Sequence, residues 1–245
     1  MKLGSNILFL PDLTSTNSFA AQTLRDGRPS EGTVIRTNYQ SAGRGHGTNK
    51  WESEADKNLL VSIILYPHSI RPEEQFLLSM AVSLGIYDFL NSLVQGVKIK
   101  WPNDIYVKDD KIAGILIENG IMGDRIEHTV AGIGLNINQE KFLSDAPNPV
   151  SLKMITGKNY DTDDCLKQLL GFLDNRYSSA LSAGNGELPA EYNSLLYGKD
   201  EWKRYTDEGG AFTGRLLKAG PDGKAAIEKE TGGISHYSFK ELEFS

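Results

Sequence analysis

The stretch from residue 97 to residue 138 constrains the fold of this chain more than any other. It contains three segments in which apolar and polar residues alternate, "VKIKW", "DIYVKDDKIAGILIEN" and "RIEHTVAGIGLNIN". Alternation with a period of two is typical of a strand with one buried face, and the connecting turns "KDDK" and "IMGD" are short and polar. We therefore expect a meander of antiparallel strands in a sheet that is mixed or antiparallel.

Further strands and helices are predicted on both sides of the meander. Strands are indicated by "NILFLPDL", by "GTVIRTNYQ" and by the more continuously apolar "NLLVSIILY", which we expect to be central. Helices are indicated by "STNSFAAQTLRDG", by residues 72–94 and 161–183, and by "PAEYNSLLYG". The first of them opens with hydroxyl and amide side chains that suit helix capping. The expected fold class is α+β, a mixed and largely antiparallel sheet packed by helices.

Beyond Gly198 the predicted segments become short and are separated by glycine-rich turns. Short segments such as "EWKRYT", "AFTGRLLKAG" and "AAIEKE" alternate there with the turn sequences "DEGG", "GPDG" and "TGG". Many short strands with glycine-rich turns are typical of a small β-barrel. We therefore predict two domains, residues 1–197 and residues 198–245.

Composition and charge exclude several classes of protein. The formal net charge is -6, so the surface repels phosphate backbones and anionic membranes, and nucleic acid is not an expected partner. No apolar run approaches the roughly 20 residues of a membrane span. The single cysteine, Cys165, lies in an amphipathic helix and is expected to be a core thiol. With no leader ahead of the first strand, these features favour the reducing cytoplasm.

Several catalytic motifs were tested and fail. A phosphate-binding P-loop starting at Gly43 would need a second glycine where Thr48 stands, and the glycine spacing does not match the dinucleotide fingerprint either. The four histidines are scattered without metal-ligand spacing, and there is no G-x-S-x-G nucleophile elbow. If the chain is an enzyme, we expect chemistry without a protein nucleophile.

Three clusters remain: "SAGRGHGTNKW" at residues 41–51, "KWPNDIYVKDDKIAGILIE" at residues 100–118 and "AGIGLNIN" at residues 131–138. The alternating glycines let backbone N–H groups approach an anion, and Arg44 can grip a carboxylate or phosphate in two places. Lys111 at the start of a strand can neutralise developing negative charge. Each cluster also has a plain structural interpretation: a surface connector, a solvated hairpin turn and a strand whose glycines allow close packing. Trp51 and Trp101 are either flat walls for a ligand or core residues.

The set of motifs in this order resembles the biotin protein ligase family. "STN" follows the first strand, "YQSAGRGHG" and "KW" lie between the second and third, and "KWPND", "KIAGILIE" and "GIGLNIN" come later. The resemblance covers roughly residues 6–140, and the small C-terminal β-domain matches the layout of that family. It implies a class II synthetase-like catalytic domain followed by an SH3-like β-barrel. It also implies two steps: biotin and ATP form biotinyl-5'-AMP and pyrophosphate, and an acceptor lysine then displaces AMP.

The resemblance also implies roles for individual residues. Arg44 and Lys111 are the expected catalytic residues: Arg44 in the loop that wraps the carboxylate and α-phosphate, and Lys111 bridging carboxylate and phosphate oxygens. Contacts to biotin are expected from Ser15, Thr16, Asn17, Gln40, Gly43, Arg44, Gly45, His46, Lys111 and Gly114. Contacts to ATP are expected from Arg44, Trp51, Asn103, Lys111 and Asn136. Asp104 is the expected residue for organising Mg²⁺ or for orienting the incoming amine.

Two departures from the family pattern are visible. Many members read G-R-G-R where this chain has His46 at the fourth position, so we predict a weaker or pH-dependent grip on the adenylate. Some relatives carry an N-terminal DNA-reading domain, whereas this chain starts almost directly at the first strand, so we expect none.

The resemblance also implies partners and cofactors. The implied partner is a biotin carboxyl carrier domain, ATP and Mg²⁺ are the implied co-substrate and activator, and no tightly bound prosthetic group is implied. Monomer and homodimer both stay open. A lipoate or octanoate ligase or transferase, or a non-catalytic binding module, are the alternatives.

Overall fold

The larger sheet has seven strands, and the predicted meander forms one half of it. The computed structural model describes residues 2–144, 148–182 and 187–244. Its first sheet has the order β1-β2-β3-β7-β6-β5-β4. The strands are β1 Ile7–Leu13, β2 Val34–Gln40, β3 Leu59–Leu65, β4 Val97–Lys100, β5 Asp104–Val107, β6 Asp110–Met122 and β7 Arg125–Leu135. Within the described ranges β1 and β2 pair in parallel and the other neighbours pair antiparallel. The mixed, largely antiparallel sheet and the α+β class are confirmed.

Both faces of β3 are covered, which explains its continuous apolar sequence. All seven residues of β3 are buried. Its odd-numbered side chains pack with α2 Phe76–Asn91 and α4 Thr162–Leu181 in the main core. On the other face, Ile64 packs with Ala20 of α1 Thr16–Asp26 in a second core. Ser62 is the one polar residue on that second face, and its position turns out to be inside the candidate site.

The predicted helix over residues 72–94 is interrupted. Residues Pro72–Glu74 form a 3₁₀ turn and α2 begins at Phe76. The Phe76 N–H donates to the carbonyl oxygen of Pro221 at 3.2 Å instead of to Pro72, so the helical hydrogen-bond ladder is broken there. The interruption therefore comes from a contact with a distant turn, which local periodicity cannot encode. α2 is also buried nearly all round, not along one stripe.

The other predicted helices overlap helices of the structure, and one short helix, Leu152–Thr156, was not predicted. Asp161 caps α4 by accepting hydrogen bonds from the N–H groups of Asp163 at 2.8 Å and Asp164 at 3.0 Å. The predicted end of this helix at Ala183 lies outside the described residues. Cys165 is buried and free, and burial raises the pKa of its thiol to about 11, which fits the predicted core role. Two short helices, α3 Leu152–Thr156 and α5 Glu187–Ser194, complete the set. No described helix combines the length and apolarity needed to cross a membrane.

A second sheet follows from Trp202 onward. Its five strands are all antiparallel, in the order β11-β10-β9-β8-β12. They are β8 Trp202–Asp207, β9 Gly210–Ala219, β10 Ala225–Lys229, β11 Ile234–Tyr237 and β12 Glu243–Phe244. The Trp101 indole N–H donates to the carbonyl oxygen of Gly223 at 3.0 Å, and its ring packs near Phe239 and Phe244. Trp101 is 2 % exposed and therefore packs in the contact between the two sheets. It also lines the cavity described below.

Candidate functional site

A cavity of about 250 Å³ lies between the larger sheet, the glycine loop and the last turn of the chain. Most of the residues proposed from the sequence line it: Ser15, Thr16, Asn17, Gln40, Arg44, Gly45, His46, Trp51, Asn103, Asp104, Lys111 and Gly114. Gly43 and Asn136 are not among the lining residues. The Gly43 carbonyl instead accepts a hydrogen bond from the Trp51 N–H within the loop. Asn136 Nδ2 donates a hydrogen bond to the carbonyl of Val150 at 3.0 Å, in a neighbouring segment.

One end of the cavity is polar and completely buried. The Thr16 N–H donates to Gln40 Oε1 at 2.7 Å, so Gln40 provides the helix cap. Ser15 occupies the N-cap position, but its side chain makes no capping bond, contrary to the sequence-based expectation for that residue. The Ser62 hydroxyl lies 2.7 Å from Thr16 Oγ1 and 2.6 Å from Asn17 Oδ1. This network fixes the polar side chains before any ligand arrives.

Glycines of β6 and β7 make room for the side chains of the site. A Cβ atom on Gly132 would lie 2.1 Å from Asn17 Oδ1, and one on Gly134 would lie 2.4 Å from Trp51 Cε2. A Cβ on Gly114 would lie 2.9 Å from Trp51 Cζ3. Trp51 thus packs directly on backbone at two adjacent strands. The close packing considered for "GIGLN" is confirmed, and its purpose is to seat Asn17 and Trp51.

The glycine loop is folded back on itself as a small hairpin. Gly45 N–H donates to the Asn49 carbonyl at 2.8 Å, and Trp51 N–H donates to the Gly43 carbonyl at 2.9 Å. A Cβ on Gly43 would lie 2.4 Å from the Trp51 carbonyl oxygen, so a side chain at this position would push the two arms of the hairpin apart. The two backbone hydrogen bonds therefore give the loop a hairpin conformation beside the cavity.

Both candidate catalytic cations are paired with carboxylates of the protein. Lys111 Nζ lies 2.7 Å from Asp104 Oδ2, with the two side chains 26 % and 23 % exposed. Arg44 forms a fork on Glu118, with distances of 2.7 Å and 3.2 Å. Both pairs reach solvent, so each can be exchanged for an anionic ligand at modest cost. The site therefore holds two positive groups whose present partners are replaceable.

Unpaired polar atoms surround the other end of the cavity. Trp51 Nε1 and His46 Nδ1 are buried and have no hydrogen-bond partner among the residues that the structure describes, and the same holds for Asn136 Oδ1, outside the cavity lining. A buried unpaired polar atom costs free energy unless a ligand or water satisfies it. Since Trp51 and His46 line the cavity, a ligand with polar groups is the expected partner.

The partly exposed His46 ring packs against Phe239, in the segment between β11 and β12. Its ring centroid lies 3.9 Å from that of Phe239 in an edge-on arrangement. Burial, and then the nearby Lys240 charge, lower the pKa of His46 below its ordinary value. The lowered pKa leaves the imidazole mostly neutral at pH 7, so it adds little positive charge to the loop.

Several residues of the site were missed by reasoning from the sequence. Glu118 and Lys100 lie inside the quoted motifs but were assigned no role. Lys100 lines the cavity, and burial lowers the pKa of its ammonium, which lies 3.2 Å from the Tyr106 hydroxyl. Phe239, Leu242 and Phe244 close the cavity from the end of the chain, and no local signal marks them.

The described residues contain no group of three or more His, Cys, Asp or Glu side chains that could hold a metal ion. Asp104 lies in the cavity but is engaged by Lys111. Mg²⁺ in proteins is often bound through one or two carboxylates together with substrate phosphates. Asp104 is the one carboxylate among the described residues that line the cavity, so the protein alone offers a single side-chain carboxylate to such an ion there.

Comparisons with known proteins agree on one family. The model of the biotin/lipoate A/B protein ligase family matches residues 9–136. The bifunctional ligase/repressor BirA of Bacillus subtilis is 28 % identical over 96 % of this chain and 73 % of that protein. The biotin–acetyl-CoA-carboxylase ligase of Mycobacterium tuberculosis is 28 % identical over 74 % of this chain and 66 % of that protein. The structure of the biotin protein ligase from Aquifex aeolicus in complex with biotin and ATP superposes with a TM-score of 0.82 at 26 % identity, covering 98 % of this chain and 100 % of that one.

Proposed function

Because the chain belongs to the biotin/lipoate A/B protein ligase family, we propose that it activates biotin with ATP as biotinyl-5'-AMP and transfers the biotinyl group to a lysine of a biotin carboxyl carrier domain. The choice of biotin over lipoate is supported by the Mycobacterium tuberculosis relative, which is a biotin ligase by its name. It is also supported by the similarity to a ligase structure that holds biotin and ATP.

The observation that carries the proposal is the pairing of both cavity cations with exchangeable carboxylates. Lys111 bound to Asp104 and Arg44 bound to Glu118 each offer positive charge to an incoming acid or phosphate. The buried polar end around Thr16 and Asn17 suits a small polar ring.

The chemistry needs no nucleophile from the protein. A carboxylate oxygen of biotin attacks the α-phosphorus of ATP, the bond to the bridging oxygen breaks, and pyrophosphate leaves. The acceptor lysine amine then attacks the acyl carbon, AMP leaves, and the amine loses a proton. In this scheme the residues position groups, neutralise charge and exclude water from the mixed anhydride.

Each site residue has a proposed place in this scheme. Ser15, Thr16, Asn17 and Gln40 bind the vitamin ring. Gly43, Gly45, His46 and Arg44 form the loop over the acyl-phosphate, and Gly114 lets the ligand pass close to β6. Lys111 leaves Asp104 to bridge the carboxylate and phosphate oxygens. Trp51, Asn103 and Asn136 serve the nucleotide, although Asn136 acts from outside the cavity wall. Asp104, once released, is available for Mg²⁺ or for the incoming amine.

The partner and compartment follow from the same proposal. The Mycobacterium tuberculosis relative acts on acetyl-CoA carboxylase by its name, so a carrier domain of such a carboxylase is the proposed acceptor. A reduced, buried Cys165 and the acidic net charge support a cytoplasmic enzyme that does not depend on nucleic acid.

The decisive assay is biotin-dependent exchange of labelled pyrophosphate into ATP. We expect exchange with biotin and none with lipoate or octanoate, and a matching thermal shift with biotin plus ATP. Exchange with lipoate but not biotin would assign the chain to the other branch of the family. If the protein binds the ligands but shows no exchange, it is a non-catalytic binding module.

A further inference from the structure

Glu118 connects two parts of the site that are far apart in the sequence. Its carboxylate accepts hydrogen bonds from Arg44 Nη2 at 2.7 Å and from Arg44 Nη1 at 3.2 Å. Its Oε2 atom also accepts a hydrogen bond from Asn17 Nδ2 at 2.8 Å. One carboxylate thus links the glycine loop to the first turn of α1.

The strand explains why Glu118 can make these contacts. Side chains of a strand alternate between the two faces, so Glu118 shares a face with Gly114 and Leu116, both of which line the cavity. Glu118 is the next position along that face, at the rim. Lys111 lies seven residues earlier in the same strand, so one strand carries both the partner of Arg44 and the second candidate catalytic cation.

Asn17 is a rigid anchor for this carboxylate. It is 3 % exposed, its Oδ1 atom lies 2.6 Å from the Ser62 hydroxyl, and the missing side chain at Gly132 leaves it the space it occupies. By contrast, the Arg44 and Glu118 side chains are 46 % and 37 % exposed. The mobile partner of the three-residue contact is therefore the arginine of the loop.

We propose that Glu118 is a positioning residue that ties Arg44, and with it the glycine loop, to Asn17 at the edge of the cavity. Trp51 fixes one arm of the hairpin on the sheet, and the fork to Glu118 holds the other arm at Arg44, so loss of the fork should let that arm open more often. The identity of the ligand beneath the loop rests on the proposed function, but the contact between the loop and Glu118 does not. Glu118 acts through Arg44 and is assigned no contact with the reacting atoms.

A test in the ligand-free protein follows from the hydrogen bonds of the loop. The N–H groups of Gly45, Asn49 and Trp51 are bonded within the hairpin, so their hydrogen exchange reports loop opening. Glu118→Gln keeps the shape of the side chain and removes its charge. We expect exchange of these three amides to rise about two- to fivefold, the range for loss of a half-exposed ion pair. Glu118→Asp retains the charge and should restore most of the protection.

The matched control is Glu74→Gln. Glu74 pairs with Arg71 away from the cavity, and its side chain is also 37 % exposed. This variant should leave exchange at residues 43–51 unchanged. Unchanged exchange in Glu118→Gln, or an equal rise in both variants, would overturn the proposal.

The wild-type protein provides a second measurement that does not depend on how a variant folds. Salt screens an exposed ion pair, so 1 M NaCl should raise exchange of the three loop amides in the wild type by the same two- to fivefold factor. If salt leaves them unchanged, the fork does not hold the loop.

Kinetics then separate this proposal from the proposed function. Loss of the loop contact removes binding shared by ground and transition states, so Glu118→Gln should raise the KM for biotin a few-fold and leave kcat within about twofold. A fall in kcat with unchanged KM would contradict positioning through the loop. If the wild type shows no biotin-dependent exchange of pyrophosphate at all, the proposed function fails while the amide-exchange test still decides the role of Glu118.

Discussion

Lys111 Nζ lies 2.7 Å from Asp104 Oδ2, across two hydrogen-bonded strands of the same hairpin. The ammonium is thus held at the cavity by a counter-charge that can be replaced. The pair is about three-quarters buried on both sides, which limits the directions the ammonium can take. We infer that a ligand phosphate or carboxylate takes the place of Asp104.

Lys111→Ala should lower the rate of biotin-dependent pyrophosphate exchange about 10²- to 10³-fold. Removal of a preorganised positive group at the site of developing charge has effects of this size. The fold should persist, since circular dichroism and the melting temperature depend little on a partly exposed pair. Lys98→Ala is the control, because Lys98 is an exposed lysine on β4. Normal exchange in Lys111→Ala would remove the residue from its role.

His46→Arg should slow the release of the acyl-adenylate at pH 7 to 8. Burial beside Phe239 and the charge of Lys240 lower the pKa of His46, so the wild-type loop has no charge there in this range. Arginine restores the charge at all pH values. As the pH falls below the ordinary histidine value of 6.5, His46 gains its proton and the two proteins should converge. Off-rates measured from pH 5 to 8 test this, and equal rates at pH 8 would refute it.

Two glycine variants should separate the ligand subsites. Gly132→Ala places a Cβ against Asn17 and should raise the KM for biotin, whereas Gly134→Ala places one against Trp51 and should raise the KM for ATP. Overpacking of this kind costs about 1–3 kcal/mol, or roughly 5- to 100-fold in affinity. Gly171→Ala is the control, since a Cβ there meets nothing within 4 Å and the helix tolerates alanine well. Equal effects of both variants on both KM values would reject the assignment of subsites.

Trp101→Phe should lower the free energy of unfolding by about 1–3 kcal/mol. The change leaves the carbonyl of Gly223 without its indole partner at the contact between the sheets. Urea unfolding followed by circular dichroism measures it. Trp202→Phe is the comparison, because that indole is 50 % exposed and its loss should change stability by less than about 0.5 kcal/mol. A Trp101→Phe protein as stable as the wild type would show that the indole N–H is dispensable.

Reasoning from the sequence identified the strands, the long helices and most of the cavity. The family proposed from "GRGHG", "KWPND" and "KIAGILIE" is confirmed by the comparisons. Alternation of apolar residues and the Asp161 cap are local signals that act within a few positions, which is why β6, β7 and the start of α4 were placed correctly. The break before Phe76 was missed because it depends on Pro221.

The sequence by itself determined the positions of the strands and of most of each long helix. It also supplied the glycine loop, the lysine and the polar residues of the candidate site. The tertiary structure decided their partners: Arg44 with Glu118, Lys111 with Asp104, His46 with Phe239 and Gln40 with the start of α1. Secondary structure follows from residues within one or two turns of each other, so it leaves a periodic trace in the sequence. Contacts between distant segments arise when the sheets and loops pack, and the choice of partner among many similar side chains leaves no such trace.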